Sequence, residues 1–306
     1  MSEKMKGAAA SIRQRLYNLS RERGLDFQYI LIRYGLERLL YRLGNSAYAG
    51  RFVLKGAMLF AVWSNEVYRP TRDLDLLGYG DDSAEEIKAL FQEICRVEVE
   101  ADGIVFDPGS INVEEIRGEQ EYQGKRVKLI GVLKKARIPL QIDVGFGDVV
   151  TPEIKEIEYP TLLALPSPRI RAYPEETMVS EKLQAIVSLG MVNSRMKDFY
   201  DLWVMSRLFC FDGEDLATAI QATFNRRRTV TPEKVPLIFK PEFTMDRNKT
   251  TQWRAFLNRT GLVDNGKGFV RVIEEISVFL LPPLLAAGNG HPFQKAWIPG
   301  KKWQAK

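Results

Sequence analysis

Apolar residues recur at helical spacing over the first 46 positions. The spacing of Ile12, Leu16 and Leu19 predicts a helix over 8–23, and the same spacing predicts a second helix over 26–43. Each helix keeps an apolar stripe along one face, and such a stripe has to pack against another element. We therefore expect a helical prefix that packs on the part of the chain that follows.

From residue 47 onward the pattern changes to short apolar runs and to alternation of apolar and polar residues, both typical of β-strands. Strands are predicted at Phe52–Leu54, Asp73–Leu77, Ile111–Ile116, Arg126–Leu133 and Ile138–Phe146. Helices are predicted over 57–64 and from a cap at Asp82-Ser83 to Val97. These elements indicate a small mixed sheet covered by helices.

Prolines cluster between Pro152 and Pro174, and helical spacing returns after them. Later helices are predicted over Glu175–Leu189, Arg195–Phe209, Gly213–Phe224, Thr251–Asn258 and Phe269–Leu280. The last residues, roughly 20 in number, are predicted to be an extended tail. The fold class that follows is α+β, with a first domain over 1–160 and a mostly helical domain over 161–306.

Composition narrows the chemistry that this fold can carry. The chain of 306 residues has one histidine, His291, and two isolated cysteines, Cys95 and Cys210. Because this histidine lies in a Gly/Pro-rich tail, the sequence does not favour a Ser-His-Asp hydrolase, and one histidine is too few for a metal centre built on several. The candidate chemistry therefore falls to carboxylates and lysines. The cysteines are expected to be reduced core thiols. Because no apolar run reaches the ~20 residues of a membrane span and no secretory signal is recognisable, we expect a cytoplasmic protein without membrane partners.

Charge is distributed unevenly along the chain. Residues 1–46 carry a net charge of +5 and residues 222–306 a net charge of +9, whereas residues 47–221 carry −9. An acidic centre between basic flanks suits a metal-dependent site beside a surface that binds polyanions, and it also fits scattered surface charge.

A pair of carboxylates lies in the sequence Arg-Pro-Thr-Arg-Asp-Leu-Asp-Leu over 69–76. Asp73 and Asp75 are two residues apart on a predicted strand, so both side chains leave the same face. Two such carboxylates repel each other unless a cation lies between them, and Mg²⁺ binds one or two carboxylates together with substrate phosphates. The pattern therefore favours a metal site.

A third carboxylate interrupts an apolar strand in Leu-Gln-Ile-Asp-Val-Gly-Phe-Gly over 140–147. Burial of Asp143 is costly unless the carboxylate is paired, hydrogen-bonded or bound to metal. On a strand next to that of Asp73 and Asp75 it would complete a cluster able to hold two Mg²⁺ ions. Alternatively it pairs with an arginine such as Arg126 or Arg137.

Five segments in this order resemble the AbiEii/AbiGii toxin family, which includes the MenT-type toxins, within the nucleotidyltransferase superfamily with a polymerase-beta-like core. They are Lys-Gly-x-x-Leu at 55–59, Arg-x-Thr-x-Asp-Leu-Asp-Leu at 69–76, Gln-Ile-Asp-Val-Gly-x-Gly-Asp at 141–148, Val-Ser-Glu-Lys-Leu-Gln-Ala-Ile at 179–186 and Arg-Met-Lys-Asp-Phe-Tyr-Asp-Leu at 195–202. The superfamily often has Gly-Gly or Gly-Ser at the first turn, where this chain has Gly56-Ala57. Alanine keeps the N–H that can reach a phosphate and removes the hydroxyl.

The resemblance implies a toxin that transfers a nucleotidyl group from an NTP to RNA, at the 3′ end of tRNA, and so blocks translation. It implies Mg²⁺ or Mn²⁺ as cofactor and a cognate antitoxin as partner. Catalytic residues would be Asp73, Asp75, Asp143, Lys182 and Asp198, of which the first three hold the metal. Nucleotide-binding residues would be Lys55, Gly56, Ala57, Thr71, Lys182 and Asp201, with the helical domain closing the nucleotide cleft. RNA contacts are expected at Arg195, Lys197, Arg226, Arg227 and Arg228.

Alternative interpretations stay open. Without the resemblance, Lys182 is an ordinary helix-surface lysine, the charges over 195–201 form a solvated ion-pair network, and the arginine run 226–228 is a solvated turn. The acceptor could also be a protein hydroxyl. A catalytically silent module that binds RNA or an antitoxin is a third alternative, against which the full set of five catalytic residues argues.

Overall fold

The computed structural model describes residues 3–64, 70–116 and 124–306. Arg69, the first residue of the carboxylate motif, lies outside them. The chain divides into two compact units: the first takes the residues up to Gly147 and Lys155–Ala172, and the second takes Asp148–Ile154 and Tyr173–Lys306.

The first unit combines helices with a sheet. Its helices are α1 (Glu3–Glu22), α2 (Phe27–Gly44), α3 (Phe60–Ser64) and α4 (Ala84–Arg96). Its strands are β1 (Phe52–Lys55), β2 (Asp73–Gly78), β3 (Ile104–Ile116), β4 (Gly124–Leu133), β5 (Ala136–Phe146), β6 (Lys155–Glu158) and β7 (Arg169–Ala172). A 3₁₀ turn over Ala49–Arg51 precedes β1, and another over Gly56–Leu59 precedes α3. The predicted strands and helices of this region are confirmed, and β6 and β7 are additional.

One mixed sheet contains these strands in the order β3-β4-β5-β2-β1-β7-β6. β2 pairs in parallel with β5, and β1 pairs in parallel with β7, whereas the other neighbours are antiparallel. The mixed sheet expected from the sequence is thereby confirmed. Because β2 is flanked by β1 and β5, its residues lie at the centre of the sheet.

Buried polar contacts fasten α2 to the loop before β3. Arg42 donates to both carboxylate oxygens of Asp102 at 2.7 and 3.2 Å, and the Tyr34 hydroxyl donates to the Asp102 carbonyl at 2.5 Å. Asp26 caps the start of α2 by accepting from the Tyr29 amide at 2.8 Å. Since Arg42 and Asp102 are both buried, either one alone would leave an unpaired charge in the core. The helical prefix is thus held on the unit that contains the sheet.

Helices dominate the second unit. They are α5 (Glu175–Leu189), α6 (Met196–Leu208), α7 (Gly213–Arg226), α8 (Pro241–Thr244), α9 (Arg247–Thr260) and α10 (Gly268–Gly288), with 3₁₀ turns at Gly190–Val192 and Leu237–Phe239. A small sheet is formed by β8 (Phe211–Asp212), β9 (Lys295–Trp297) and β10 (Gln304–Ala305) in the order β10-β9-β8.

The prediction of an extended tail is wrong, and α10 supplies the physical reason. This helix continues through Pro282 and Pro283. Pro283 has no N–H for the carbonyl of Phe279, four residues earlier. The Trp303 indole donates to that carbonyl instead at 2.8 Å and stacks on the Phe279 ring. Trp297, 5% exposed, donates to the Ser206 carbonyl at 2.7 Å. The C-terminal segment is therefore packed against α6 and α10.

The two cysteines differ in environment. Cys95 is buried in α4, as expected, but Cys210 is exposed between α6 and β8, so its prediction as a core thiol is wrong. Of the helices in the described ranges, none is long and apolar enough to cross a membrane.

Substitution of Trp303 tests how the C-terminal segment is held. We expect Trp303→Ala to lower the free energy of unfolding by about 2 kcal/mol, because a partly buried ring and its hydrogen bond are lost. Trp303→Phe should lower it by about 1 kcal/mol, because only the donor to Phe279 is lost. Urea unfolding measures both, with Val230→Ala, at a side chain that is 87% exposed, as control. Equal stability of all three variants would show a detached tail.

Candidate active site

Five charged residues stand at one register across five neighbouring strands. Glu114 on β3 faces Arg126 on β4, and Arg126 faces Asp143 on β5. Asp143 in turn lies beside Asp75 on β2, which faces Lys55 on β1. Paired residues project from the same face of a sheet, so the charges form a row. We call it the charge row. Its centre holds two adjacent carboxylates, an arrangement that calls for a cation.

Asp73 adds a third carboxylate to this centre. It lies two residues before Asp75 on β2, and one oxygen of each of Asp73, Asp75 and Asp143 lies within 4.8 Å of the others. All three side chains are half-buried. Leu74 and Leu76, on the opposite face of β2, are 1% and 0% exposed, so apolar packing on that face holds the strand in position. We call the three carboxylates the acidic triad.

Two residues before and beside β2 shape the acidic triad. The Thr71 hydroxyl donates to Asp73 Oδ1 at 2.5 Å and so orients that carboxylate. Gly56 has a φ of +75°, and a Cβ on it would lie 2.1 Å from Asp75 Oδ2. The glycine of the turn is therefore required by the space that the Asp75 carboxylate occupies. Ala57, next in the turn, is buried.

Arg126 holds the carboxylate of Asp143 on both oxygens. Its Nε donates to Oδ1 at 2.8 Å and its Nη2 donates to Oδ2 at 2.7 Å. Hydrogen bonding to Asp143 raises the pKa of Arg126, and partial burial opposes the shift. The sequence left open whether Asp143 joins a carboxylate cluster or pairs with an arginine. In the structure it does both, because it belongs to the acidic triad and pairs with Arg126. Register across the strands identifies Arg126 as a site residue, and no local motif does so.

A second charged cluster lies within the second unit. Lys182 on α5 pairs with Asp198 at 3.0 Å and with Asp201 at 2.7 Å, and Arg195 pairs with Asp198 at 2.6 Å. Both aspartates are 1% exposed and Lys182 is 12% exposed. The i, i+3 spacing of the aspartates places them on one face of α6, as the sequence predicts. The cluster is therefore buried rather than a solvated network.

The balance of charge in this cluster shows in one pKa. Burial alone would raise the pKa of Asp198, but the charges of Lys182 and Arg195 outweigh it and lower the pKa from 3.8 to about 2. A carboxyl with a lowered pKa stabilises the fold above its unfolded value. This contribution is therefore complete above pH 3.8 and is lost as the pH falls towards about 2.

The residues expected to contact RNA are not equivalent. Arg227 is 14% exposed and pairs with Asp148 at 3.0 Å and Glu181 at 3.3 Å, all within the second unit. It therefore belongs to the interior of that unit, unlike the surface contact predicted from the arginine run. Arg226 and Arg228 are exposed, and so are Arg195 and Lys197.

The donors of the acidic triad fit a divalent cation. Mg²⁺ and Mn²⁺ prefer oxygen ligands, and three carboxylates within 4.8 Å supply them without nitrogen or sulfur. The residues that could hold such an ion are Asp73, Asp75 and Asp143, the last of which also pairs with Arg126.

Replacement of Lys182 tests the buried cluster. We expect Lys182→Met to lower the free energy of unfolding by about 3 kcal/mol, because two buried carboxylates lose their shared partner. Lys182→Arg keeps the charge and should lower it much less. Lys197→Met, at an exposed neighbour on α6, is the control and should change it by less than about 0.5 kcal/mol. Urea unfolding is the measurement, and an unchanged Lys182→Met would contradict the role of this lysine as counter-charge.

Comparison with known proteins places this geometry in a family. The family described as "Nucleotidyl transferase AbiEii toxin, Type IV TA system" matches residues 38–274, which include the acidic triad and the Lys182 cluster. Among curated proteins, none matches the sequence.

Two solved structures share the fold. The nucleotidyltransferase toxin MenT4 from Mycobacterium tuberculosis is 16% identical, with a TM-score of 0.55 over 90% of this chain and 93% of that one. JHP933 from Helicobacter pylori is 14% identical, with a TM-score of 0.52 over 87% and 94%. At this identity the likeness concerns the fold, and the family match over well over half of the chain carries the assignment: the chain belongs to the AbiEii family of nucleotidyltransferase toxins of toxin–antitoxin systems.

Proposed function

We propose that this nucleotidyltransferase uses Mg²⁺ to transfer a nucleotidyl group from an NTP to RNA, at the 3′ end of tRNA, and thereby blocks translation until an antitoxin counters it. The observation that carries the proposal is the acidic triad at the centre of the sheet. Three carboxylates at this spacing supply the oxygen ligands of a site that receives a divalent cation and a triphosphate.

The reaction exchanges one bond at phosphorus for another. The acceptor hydroxyl oxygen bonds to the α-phosphorus of the NTP, the bond to the pyrophosphate oxygen breaks, and the hydroxyl proton leaves to a base. A divalent cation, when bound, supplies positive charge to the phosphate oxygens. Thr71 keeps the Asp73 carboxylate oriented, and Gly56 leaves room for that of Asp75. Asp143 is the proposed base, and its pairing with Arg126 makes the carboxylate less ready to accept the proton.

Lys182 is proposed to act on the phosphates of the nucleotide. Its compact ammonium is held by Asp198 and Asp201 and is therefore fixed in position before substrate binds. Preorganised charge of this kind lowers the cost of reorganisation during the reaction. Asp198 is accordingly a positioning residue for Lys182. The nucleotide contacts expected at Lys55, Ala57 and Asp201 remain predictions.

The acceptor is proposed to be RNA because the second unit carries a large groove lined by cations. The groove has a volume of about 540 Å³, and Arg207, Lys267, Arg271, Lys301 and Lys302 line it, with Glu274 and Glu275 as the acidic residues. We call it the basic groove. Five cations against two carboxylates leave an excess of positive charge, which suits phosphate groups.

Contacts within the basic groove divide its cations into two classes. Glu275 pairs with Lys267 and with Arg207, and Glu274 pairs with Arg271. Lys301 and Lys302 are exposed, and in the described ranges neither forms an ion pair. These two lysines therefore provide charge that no carboxylate among the described residues offsets.

The acceptor class is tested by incubating the purified protein with Mg²⁺, each labelled NTP in turn, and either total tRNA or total protein. Label in tRNA that is lost on trimming of the 3′ end supports the proposal. Label confined to protein would replace the RNA acceptor by a protein hydroxyl. Absence of label from both, with every NTP, would favour a silent binding module.

Neutralising one member of the acidic triad should separate activity from stability. We expect Asp75→Asn to lower the rate of transfer by about 10²–10³-fold, the usual effect of removing one group that stabilises charge in the transition state. The melting temperature without metal should hold or rise, because repulsion with Asp143 falls. Asp82→Asn, at an exposed position, is the control. Transfer at the full rate by Asp75→Asn would contradict the site.

Neutralising the unpaired lysines of the basic groove should weaken RNA binding. The double variant Lys301→Gln, Lys302→Gln should lower tRNA affinity. It should also reduce the slope of log affinity against log salt by about 1–2, because a protein that makes fewer phosphate contacts releases fewer counterions from the RNA on binding. The matched control, Lys234→Gln with Lys240→Gln, removes the same charge from exposed positions elsewhere in this unit. Binding titrations at several salt concentrations measure the slopes, and equal slopes in both variants would contradict the role of the groove.

A further inference from the structure

Arg126 occupies both oxygens of a carboxylate that the proposed metal site needs. Its Nε and Nη2 donate to the two oxygens of Asp143 at 2.8 and 2.7 Å. A fork of this kind is among the strongest pairs that side chains form, because both hydrogen bonds join opposite charges. Arg126 uses one lone pair on each oxygen, so a cation that binds Asp143 has to share the carboxylate with this positive charge, and the two compete.

The acidic triad explains why the Arg126 guanidinium lies beside Asp143. Three negative charges whose oxygens lie within 4.8 Å repel one another, and Arg126 lowers that repulsion at Asp143.

The pair is strong and is not enclosed in the core. The Arg126 side chain is 35% exposed and that of Asp143 is 18% exposed. On the other side of β4, Glu114 stands in register with Arg126 and is 45% exposed. Both oxygens of Glu114 accept from Lys128, at 3.0 and 2.8 Å, so Arg126 is not shared with that carboxylate. The guanidinium that moves away from Asp143 therefore moves towards solvent.

The geometry points to Arg126 as a built-in counter-ion that competes with the divalent cation: in the metal-free protein it holds Asp143, and metal binding to that carboxylate weakens the hold. This inference rests on the proposed metal site. Arg126 is a positioning residue, because it stabilises the metal-free state and so sets the metal concentration at which the site fills.

Arg126→Met tests the competition directly. We expect the variant to bind Mn²⁺ about tenfold more tightly than the unaltered protein, since charge-assisted hydrogen bonds of this strength are lost from the competing state. Electron paramagnetic resonance titration without nucleotide or acceptor measures the Kd. Arg126→Lys keeps the charge without the fork, so its Kd should lie between the two. The rise in melting temperature from EDTA to saturating Mn²⁺ should be largest for Arg126→Met.

Lys128→Met is the matched control. Lys128 lies two residues farther along β4, has the same charge and pairs with Glu114 at 2.8 Å, outside the acidic triad. Its Mn²⁺ Kd should stay within about twofold, because an exposed pair contributes little. An equal tightening in Lys128→Met would assign the effect to net charge and overturn the inference.

Two further outcomes separate this inference from the metal site. Unchanged or weaker Mn²⁺ binding by Arg126→Met, with binding by the unaltered protein, overturns the competition alone. Failure of every protein to bind Mn²⁺ overturns the metal site and the inference together.

Discussion

Two carboxylates at one register of neighbouring parallel strands set the constraint on which the first unit depends. Asp75 and Asp143 lie side by side at the centre of the sheet, and Asp73 joins them. At about 5 Å and an effective dielectric constant of ~20, each pair repels by roughly 3 kcal/mol. The surrounding residues accommodate this repulsion. Arg126 places a positive charge on Asp143, Gly56 leaves space for the Asp75 carboxylate, and the Thr71 hydroxyl orients Asp73.

The second unit solves a similar problem in the opposite way. Asp198 and Asp201 are buried almost completely, and Lys182 pairs with both, so the cluster is matched within the protein. The acidic triad is half-buried, and Arg126 pairs with one of its three carboxylates, Asp143. Adjacent like charges that a protein retains are typical of functional sites. The contrast agrees with the proposal that the Lys182 cluster positions groups and that the triad binds a ligand.

Periodicity predicted most elements of this fold, because the spacings of 2 and 3.6 residues are local properties of the chain. It missed β6 and β7, which have four residues each and alternate too briefly to differ from a loop. The sequence also placed Asp73 and Asp75 on one face. It left the partners of Asp143 open, because the register of β4, β5 and β2 depends on pairing between distant strands. The burial of Arg227 depends on tertiary packing in the same way.

A proline inside α10 explains why the C-terminal segment packs beside the basic groove. Pro283 leaves the Phe279 carbonyl without its helical donor, and the Trp303 indole takes that position. The stretch immediately before Trp303 is thereby held beside α10, where Lys301 and Lys302 line the groove with Arg271. Cations on a detached tail would lose conformational entropy on every contact with a polyanion, whereas cations on a docked segment have lost most of it already. The hydrogen bond that Pro283 removes from α10 is thus replaced by one from Trp303. This replacement preorganises the surface that is proposed to bind RNA.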